Sequence, residues 1–445
     1  MTPPPVAGAP RRALLEDLYA AAVGAAAPGP AVARALADID LTDNRRISLL
    51  ALGKAAHPMA EAAVTWLAQR GRQPAGGIVV PPAGAPPPHP ALPVVVGDHP
   101  EPGAGSLAAA DALGRAAAGV SPDDEVWVLL SGGATSLLGA PVEGVAATHL
   151  TALYALLLGS GLDITAMNRI RKRFSRWGGG RLAAALAPAR VRVFIVSDVI
   201  GDDLASIGSG PCVPDPASAA EVRAALESCG LWARIPAPLR DRVIAVERGR
   251  APETPKPGDP AFARVETRLI ASNRLALEAA AARAGALGLA PRLMEPVLSG
   301  EARDAGRRIA TAVLSYCQRS GSQPESRSIC LIWGGETTVT LGPAPAGRGG
   351  RSQELALAAA ELLAGAPEGS GPAILAAGTD GRDGPTDAAG AIVDPGTWSA
   401  IRRAGRDPAR DLAAHDAYPA LDAAGALLRP GLTGTNVMDV VFGIA

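Results

Sequence analysis

Short apolar runs in this chain repeatedly stop at glycine-rich polar loops, with helical stretches between them. Ile47–Leu52 ends at Gly53-Lys54, Glu125–Leu130 at Ser131–Ser136, and Val191–Val196 at Ser197–Asp203. In the second half, Ile329–Trp333 ends at Gly334–Thr337 and Ala373–Ala377 at Gly378–Gly381. Runs this short and apolar are buried strands, and strands that alternate with helices build an α/β fold around a mainly parallel sheet. Ligands of such sheets gather outside the carboxyl ends of the strands. The five loops are therefore the candidate site, and their coincidence says more than any one of them.

A chain of 445 residues, 48% of them hydrophobic, can bury the cores of two large domains. The Pro-rich stretch Ala251–Pro260 is the candidate linker, which divides the chain into a Rossmann-like domain, 1–255, and a second α/β domain, 256–445. Leu92–Val96 reads as a further strand, Ser106 as a helix cap and Gly285 as a helix stop. The formal net charge is −1 and aromatic residues make up 3%, so neither a basic field nor stacking platforms invite nucleic acid. Met1–Pro10 lacks the pattern of a signal peptide, and no run of about 20 apolar residues could span a bilayer. Cys212, Cys229, Cys317 and Cys330 form no CxxC pair, so disulfide and zinc scaffolds are not expected. These features predict a cytoplasmic protein acting on small molecules. No feature fixes an oligomeric state; a homodimer is compatible with the chain.

Each loop has a chemical and a structural reading. Ser131, Gly132, Gly133, Thr135 and Ser136 offer backbone N–H groups and small hydroxyls to a phosphate, or else make a tight strand-to-helix turn. Lys54 is one of only three lysines among 42 basic residues, and after a strand-end glycine it can hold its ammonium over a phosphate. Asn168, Arg171 and Lys172 share a helix face that either meets an anion or is solvated. Asp198 is a candidate Mg²⁺ ligand, since Mg²⁺ usually takes one or two carboxylates plus substrate phosphates. Arg351 opens a helix, where its guanidinium adds to an anion-favouring field. Asp380, Asp383 and Asp387 place three carboxylates among small residues. His57 and His99 lie near candidate loops without forming a known device. Walker A, GxGxxG, HExxH and GxSxG patterns are missing. The remaining inventory is that of phosphoryl transfer, where positioned charge supplies most of the catalysis.

The pieces ALGKAA (51–56), GDHPEPGAGS (97–106), LLSGGATSLL (129–138), SDVIGDDLASIGSGPCVPDP (197–216), GGET (334–337), GGRSQELAL (349–357), GTDGRDGPTDAAGA (378–391) and TGTNVMD (433–439) resemble, in order, those of the MOFRL-type glycerate 2-kinases. The resemblance spans nearly the whole chain. It implies two α/β/α domains with an interdomain cleft, and ATP- and Mg²⁺-dependent phosphorylation of D-glycerate at its 2-hydroxyl. It carries Lys54 and Arg351 over as the catalytic pair, with Asp380 and Asp383 lining the same cleft. On this basis Glu336 of GGET is assigned to substrate or nucleotide, Asp380 to catalysis and metal, and the Arg351 fork to the glycerate carboxylate. The chain departs from the family at Gly178, where a lysine is usual, at Ser352 in place of asparagine, and at Cys212 in place of threonine. Some family members carry the name hydroxypyruvate reductase, but no nicotinamide fingerprint supports that activity here. A non-catalytic sugar-phosphate-binding regulator would need the Ser/Thr loops without Lys54 and Arg351 together.

Overall fold

The computed structural model describes residues 11–41, 43–162, 164–320, 328–342, 345–367 and 371–445. Met1–Pro10, the segment tested above for a signal peptide, lies outside them. Pro28–Ile270 forms one compact unit; Ala271–Ala445, together with the N-terminal segment through Ala27, forms the other.

The first unit is built on β1 (Ile47–Leu52), β2 (Gly76–Val80), β3 (Glu125–Ser131), β4 (Arg190–Val196) and β5 (Val265–Ala271), in the order β2-β1-β3-β4-β5. The β1–β2, β1–β3 and β3–β4 pairings are parallel. Every residue of β1 and β3 is buried, as central strands covered on both faces require. Val126, Val128 and Leu130 enter one core, while Trp127 on the opposite face packs edge-on against Trp66 and Phe194. The strand order reverses between β1 and β3, which makes the crevice at their carboxyl ends the expected ligand position.

Several sequence expectations change here. Leu92–Val96 contributes a single bridge, Val94 to Val79, instead of a strand. Pro93 has no N–H with which to extend the ladder. Ser106 sits inside the helix Ala104–Ala118, accepting the N–H groups of Gly103 (3.3 Å) and Asp98 (3.0 Å). The helix Asn273–Ala286 runs past Gly285. The expected linker is part of the first unit: Thr254 donates to Asp215 Oδ2 (3.0 Å) and Lys256 to the Asp215 carbonyl (3.0 Å). The chain leaves this unit only after β5, which lies beside β4, so the boundary falls at 270/271 instead of 255/256.

The second unit contains β6 (Ala290–Leu293), β7 (Ile329–Gly335), β8 (Ala373–Gly378), β9 (Gly390–Val393), β10 (Leu427–Leu428) and β11 (Asp439–Ile444), ordered β10-β9-β8-β11-β7-β6. Only β6–β7 is parallel; the other four pairings are antiparallel. This corrects the expectation of a mainly parallel second sheet. A parallel return needs a crossover, usually helical, and the short connection from β8 to β9 contains no helix. The last strand, β11, inserts between β7 and β8. The N-terminal helix Arg11–Ala26 also belongs to this unit, where Asp17 pairs with Arg283 (2.7 Å) and Tyr19 donates to the Gly378 carbonyl (2.8 Å). Among the described residues no single helix is long and apolar enough to cross a membrane.

Candidate active site

In the first unit, the loops after β1 and β3 are joined by main chain. The Lys54 N–H donates to the Gly132 carbonyl (2.9 Å), and the Ala55 N–H to Ser131 Oγ (2.9 Å). Gly53 has φ 120°, and a Cβ there would collide with Ser131, so only glycine lets the two loops close. Gly133, at φ 83°, lies against the Lys54 side chain and the His99 ring. The Asp198 carboxylate lies over Gly132, where a Cβ would overlap it. Thus Lys54, Gly132, Gly133, His99 and Asp198 form one cluster at the β1/β3 reversal. Burial holds the His99 imidazole below its ordinary range; the Lys54 ammonium adds to this and the Asp198 carboxylate opposes it.

The hydroxyls expected to meet phosphate divide their roles. Ser131 fastens the two loops together. Thr135 Oγ1 is 2.9 Å from Ser209 Oγ, while Ser136 is half-buried on the helical turn Ala134–Leu137.

The basic run does form a helix, Ile164–Phe174, but Asn168, Arg171 and Lys172 do not share one face turned to a ligand as expected. Lys172 is buried and paired with Asp215 (3.2 Å). Arg171 stacks over the Tyr154 ring (4.9 Å), and Asn168 is half-buried on the same helix. Lys172 is therefore corrected from anion ligand to a member of a buried ionic network.

In the second unit, the antiparallel insertion of β11 decides the site. Asp439 opens β11 opposite Gly335, the end of β7, and Gly378, the end of β8. The loops after β7 and β8 therefore meet at the start of β11. Arg351, first residue of the helix Arg351–Leu363, donates from Nε to Asp439 Oδ2 (2.6 Å) and from Nη2 to Asp439 Oδ1 (3.0 Å). Its Nη1 bonds Glu336. The Nε and Nη2 edge of its fork is committed to Asp439, so the expected grip on a glycerate carboxylate would fall to its remaining N–H groups. A guanidinium carries five N–H donors, so two remain for a ligand.

Asp380 is half-buried, with Oδ1 accepting the Arg382 N–H (2.9 Å). Asp383 is buried and caps the Arg351 helix by accepting the N–H groups of Ser352 (3.1 Å) and Gln353 (2.7 Å). Burial pushes its carboxyl up to about 7 against those two N–H groups; Asp439 adds to the rise and Arg351 opposes it. Burial likewise raises the Asp439 carboxyl, opposed by Arg351.

A cavity of about 600 Å³ is lined by Glu336, Arg351, Asp380, Asp383, Glu354 and His415 among others. Sequence reasoning passed over Asp439, although it ends the TGTNVMD piece. It also did not single out His415 or Glu354, which line the same cavity. Only a carboxylate at the start of a closing strand could have marked Asp439.

Among the described residues no three of His, Cys, Asp and Glu are grouped to hold a metal. An ion carried by substrate phosphates needs only one or two carboxylates. Asp198 in the first unit and Asp380 in the second each place one carboxylate just beyond a strand end.

Residues 14–243 match a family described as a domain of unknown function (DUF4147), and residues 329–439 match the MOFRL family. A relative from Agrobacterium vitis, provisionally named a hydroxypyruvate reductase, is 40% identical over 96% of this chain and 93% of its own. A glycerate 2-kinase from Pyrococcus horikoshii is 37% identical over 90% of this chain and 87% of its own. The crystal structure of a glycerate kinase from Thermotoga maritima superposes with a TM-score of 0.87 at 34% identity, covering 98% of this chain and 99% of that one. With the strand-end loops, the Lys54 cluster and the Arg351–Asp439 pair in place, the chain belongs to the family of MOFRL-type glycerate kinases.

Proposed function

We propose that this protein transfers the γ-phosphoryl group of ATP to the 2-hydroxyl of D-glycerate, giving 2-phosphoglycerate and ADP. The observation that carries the reading is the Lys54 cluster: a rare lysine held beside Gly133 at the sheet's reversal point, where phosphate ligands of such sheets bind. In the transfer, an O–P bond forms to the glycerate hydroxyl as the bond to the β-phosphate oxygen breaks. Charge spreads over the equatorial oxygens, and a positioned cation stabilises it.

Lys54 serves as that compact charge, and the Ser131–Ser136 loop supplies N–H groups to phosphate. Arg351, aimed by Asp439 and Glu336, presents its two remaining N–H groups to an anionic oxygen. Asp383 keeps the first turn of the Arg351 helix in place. Asp198 in the first unit and Asp380 in the second are, each by itself, candidate carboxylates for Mg²⁺, which when bound would offset phosphate charge. The same reading is of a cytoplasmic enzyme for small molecules, with a homodimer as the assembly to test.

Purified protein should convert D-glycerate, ATP and Mg²⁺ to 2-phosphoglycerate. Formation of 3-phosphoglycerate would refute the regiochemistry. NADH oxidation with hydroxypyruvate, and no ADP from glycerate, would favour the reductase.

A further inference from the structure

Most charged groups in the wall of the Arg351 cavity are committed to protein partners. Glu336 bonds Arg351, and Asp383 accepts the N–H groups of Ser352 and Gln353. Glu354 Oε1 accepts from Arg303 Nε (3.0 Å), and Glu354 Oε2 lies 2.8 Å from His415 Nδ1. Asp380 Oδ1 accepts the Arg382 N–H (2.9 Å). Arg351 keeps two of its five N–H donors. Arg382 is different. It is exposed and lines the same cavity, and among the described residues its guanidinium has no hydrogen bond or ion pair.

The turn that carries Arg382 is held by its neighbours. The Asp380 side chain bonds the N–H two residues on, which makes an Asx turn. Gly381 has φ 84°, and a Cβ there would overlap the Gly431 carbonyl oxygen. Asp383, the next residue, is buried as the cap of the Arg351 helix. Residues 433–438 are bonded to the same turn: the Thr433 N–H donates to the Asp380 carbonyl (3.2 Å) and the Val437 N–H to Thr379 Oγ1 (2.8 Å). This brings Asn436 to the cavity wall. Asn436 Oδ1 accepts the Met438 N–H (3.1 Å). A backbone N–H can only donate, so the orientation of the amide is fixed and Nδ2 carries two donors. Among the described residues Nδ2 has no partner.

One uncommitted guanidinium balances one negative charge, which suits a carboxylate better than a polyphosphate tail. Its planar fork also matches the two oxygens of a carboxylate. We propose that Arg382 takes the substrate's carboxylate at two points, with Asn436 donating to an adjacent hydroxyl oxygen, so that this cavity selects short hydroxy-carboxylates. Arg351 then keeps its remaining donors for the group being transferred. This assignment rests on the D-glycerate reading above and gives Arg382 the carboxylate grip expected of Arg351.

The test measures D-glycerate and its uncharged amide, D-glyceramide, as ligands by calorimetry and as substrates, in the wild type, Arg382→Gln, Arg382→Lys and Asn436→Asp. An exposed, unpaired side chain adds little stability, so both Arg382 variants should unfold at the wild-type temperature. Arg382→Gln should raise the Kd and KM for glycerate by roughly 10- to 100-fold, the scale of hydrogen bonds to a charged group. The KM for ATP should stay the same, and glyceramide, a weaker ligand of the wild type, should bind wild type and variant alike. Arg382→Lys should recover only part of the affinity, because the charge returns without the fork. Asn436→Asp keeps the acceptor for the Met438 N–H and loses the donor, so it should weaken glycerate too. A glycerate Kd unchanged in Arg382→Gln overturns the proposal. So does a rise confined to the KM for ATP, which would put a nucleotide phosphate at Arg382. Equal weakening of glycerate and glyceramide also overturns it, because no charge would then be read. If glycerate binds in an Arg382-dependent way yet no ADP forms, the reaction assignment fails and the carboxylate site stands. If ADP forms and Arg382→Gln leaves the glycerate KM unchanged, the reaction stands and the site fails.

Discussion

Arg351 and Asp439, 88 positions apart, make a two-point ion pair that joins the start of a helix to the start of the last strand. The Asp439 side chain is almost fully buried and that of Arg351 one-third exposed. A fork held at two points has one orientation, so Asp439 aims the cation while Glu336 takes a third donor. The pair commits one edge of the fork to Asp439 and presets the direction of the charge, the arrangement that catalysis by preorganised electrostatics would use.

Breaking this pair should cost both stability and rate. Asp439→Ala leaves a guanidinium without its buried partner, and urea unfolding should show a loss of about 3 kcal/mol. The kcat should fall roughly 10²-fold, because a small misplacement of a catalytic group has that scale. Arg351→Lys keeps the charge and loses the two-point geometry, so kcat should fall more than the KM for glycerate rises. A selective rise in KM would return the Arg351 fork to the substrate carboxylate.

Lys54 should behave differently, since it is exposed and its removal leaves the loop's main-chain bonds intact. Lys54→Ala should lower kcat by roughly 10²–10³, the scale of losing one electrostatic stabiliser. Its thermal unfolding should match the wild type. Near-normal kcat would remove Lys54 from the transfer step.

Asp383 should give the second unit a pH dependence. Its folded carboxyl titrates at about 7, against an ordinary 3.8. A raised value means the folded state binds this proton more tightly than the unfolded chain does. Its stabilising contribution is thus full below the ordinary value and declines as pH rises from 3.8 to about 7. Asp383→Asn removes the titration and keeps one acceptor for the helix cap. The difference in stability between wild type and variant should shift in the variant's favour across that window. A constant difference from pH 4 to 8 would contradict the shift.

Tyr19 ties the N-terminal helix to the carboxyl end of β8. Its hydroxyl donates to the Gly378 carbonyl, two residues before Asp380. Tyr19→Phe should cost about 1 kcal/mol, the net worth of one buried hydrogen bond. Deleting residues through Ala26 should destabilise the second unit far more, by uncovering the helix Asn273–Ala286. Equal stability of the truncated and full chains would contradict this packing.

Much of this was legible in the sequence because it is local. Strand-length apolar runs are short-range patterns, and β1, β3, β4, β7 and β8 lie where the periodicity puts them. Strand-end glycines mark turns that only they can make, so Gly53-Lys54, Gly132-Gly133 and the Arg351 helix start could be read in place. The family pieces extended this to a reaction, because their order along the chain is itself a sequence property. Pairing across the chain was not legible. Nothing local to Val440 or Phe442 says that β11 runs antiparallel between β7 and β8, or that the helix Arg11–Ala26 packs with the C-terminal half. Burial of apolar faces rewards such pairings only once the whole unit has formed. For the same reason the tertiary structure alone sent Lys172 to Asp215, Arg351 to Asp439 and His415 to Glu354. A charged side chain's role depends on which opposite charge shares its low-dielectric surroundings, and in these pairs the partner is 43 to 88 positions away along the chain.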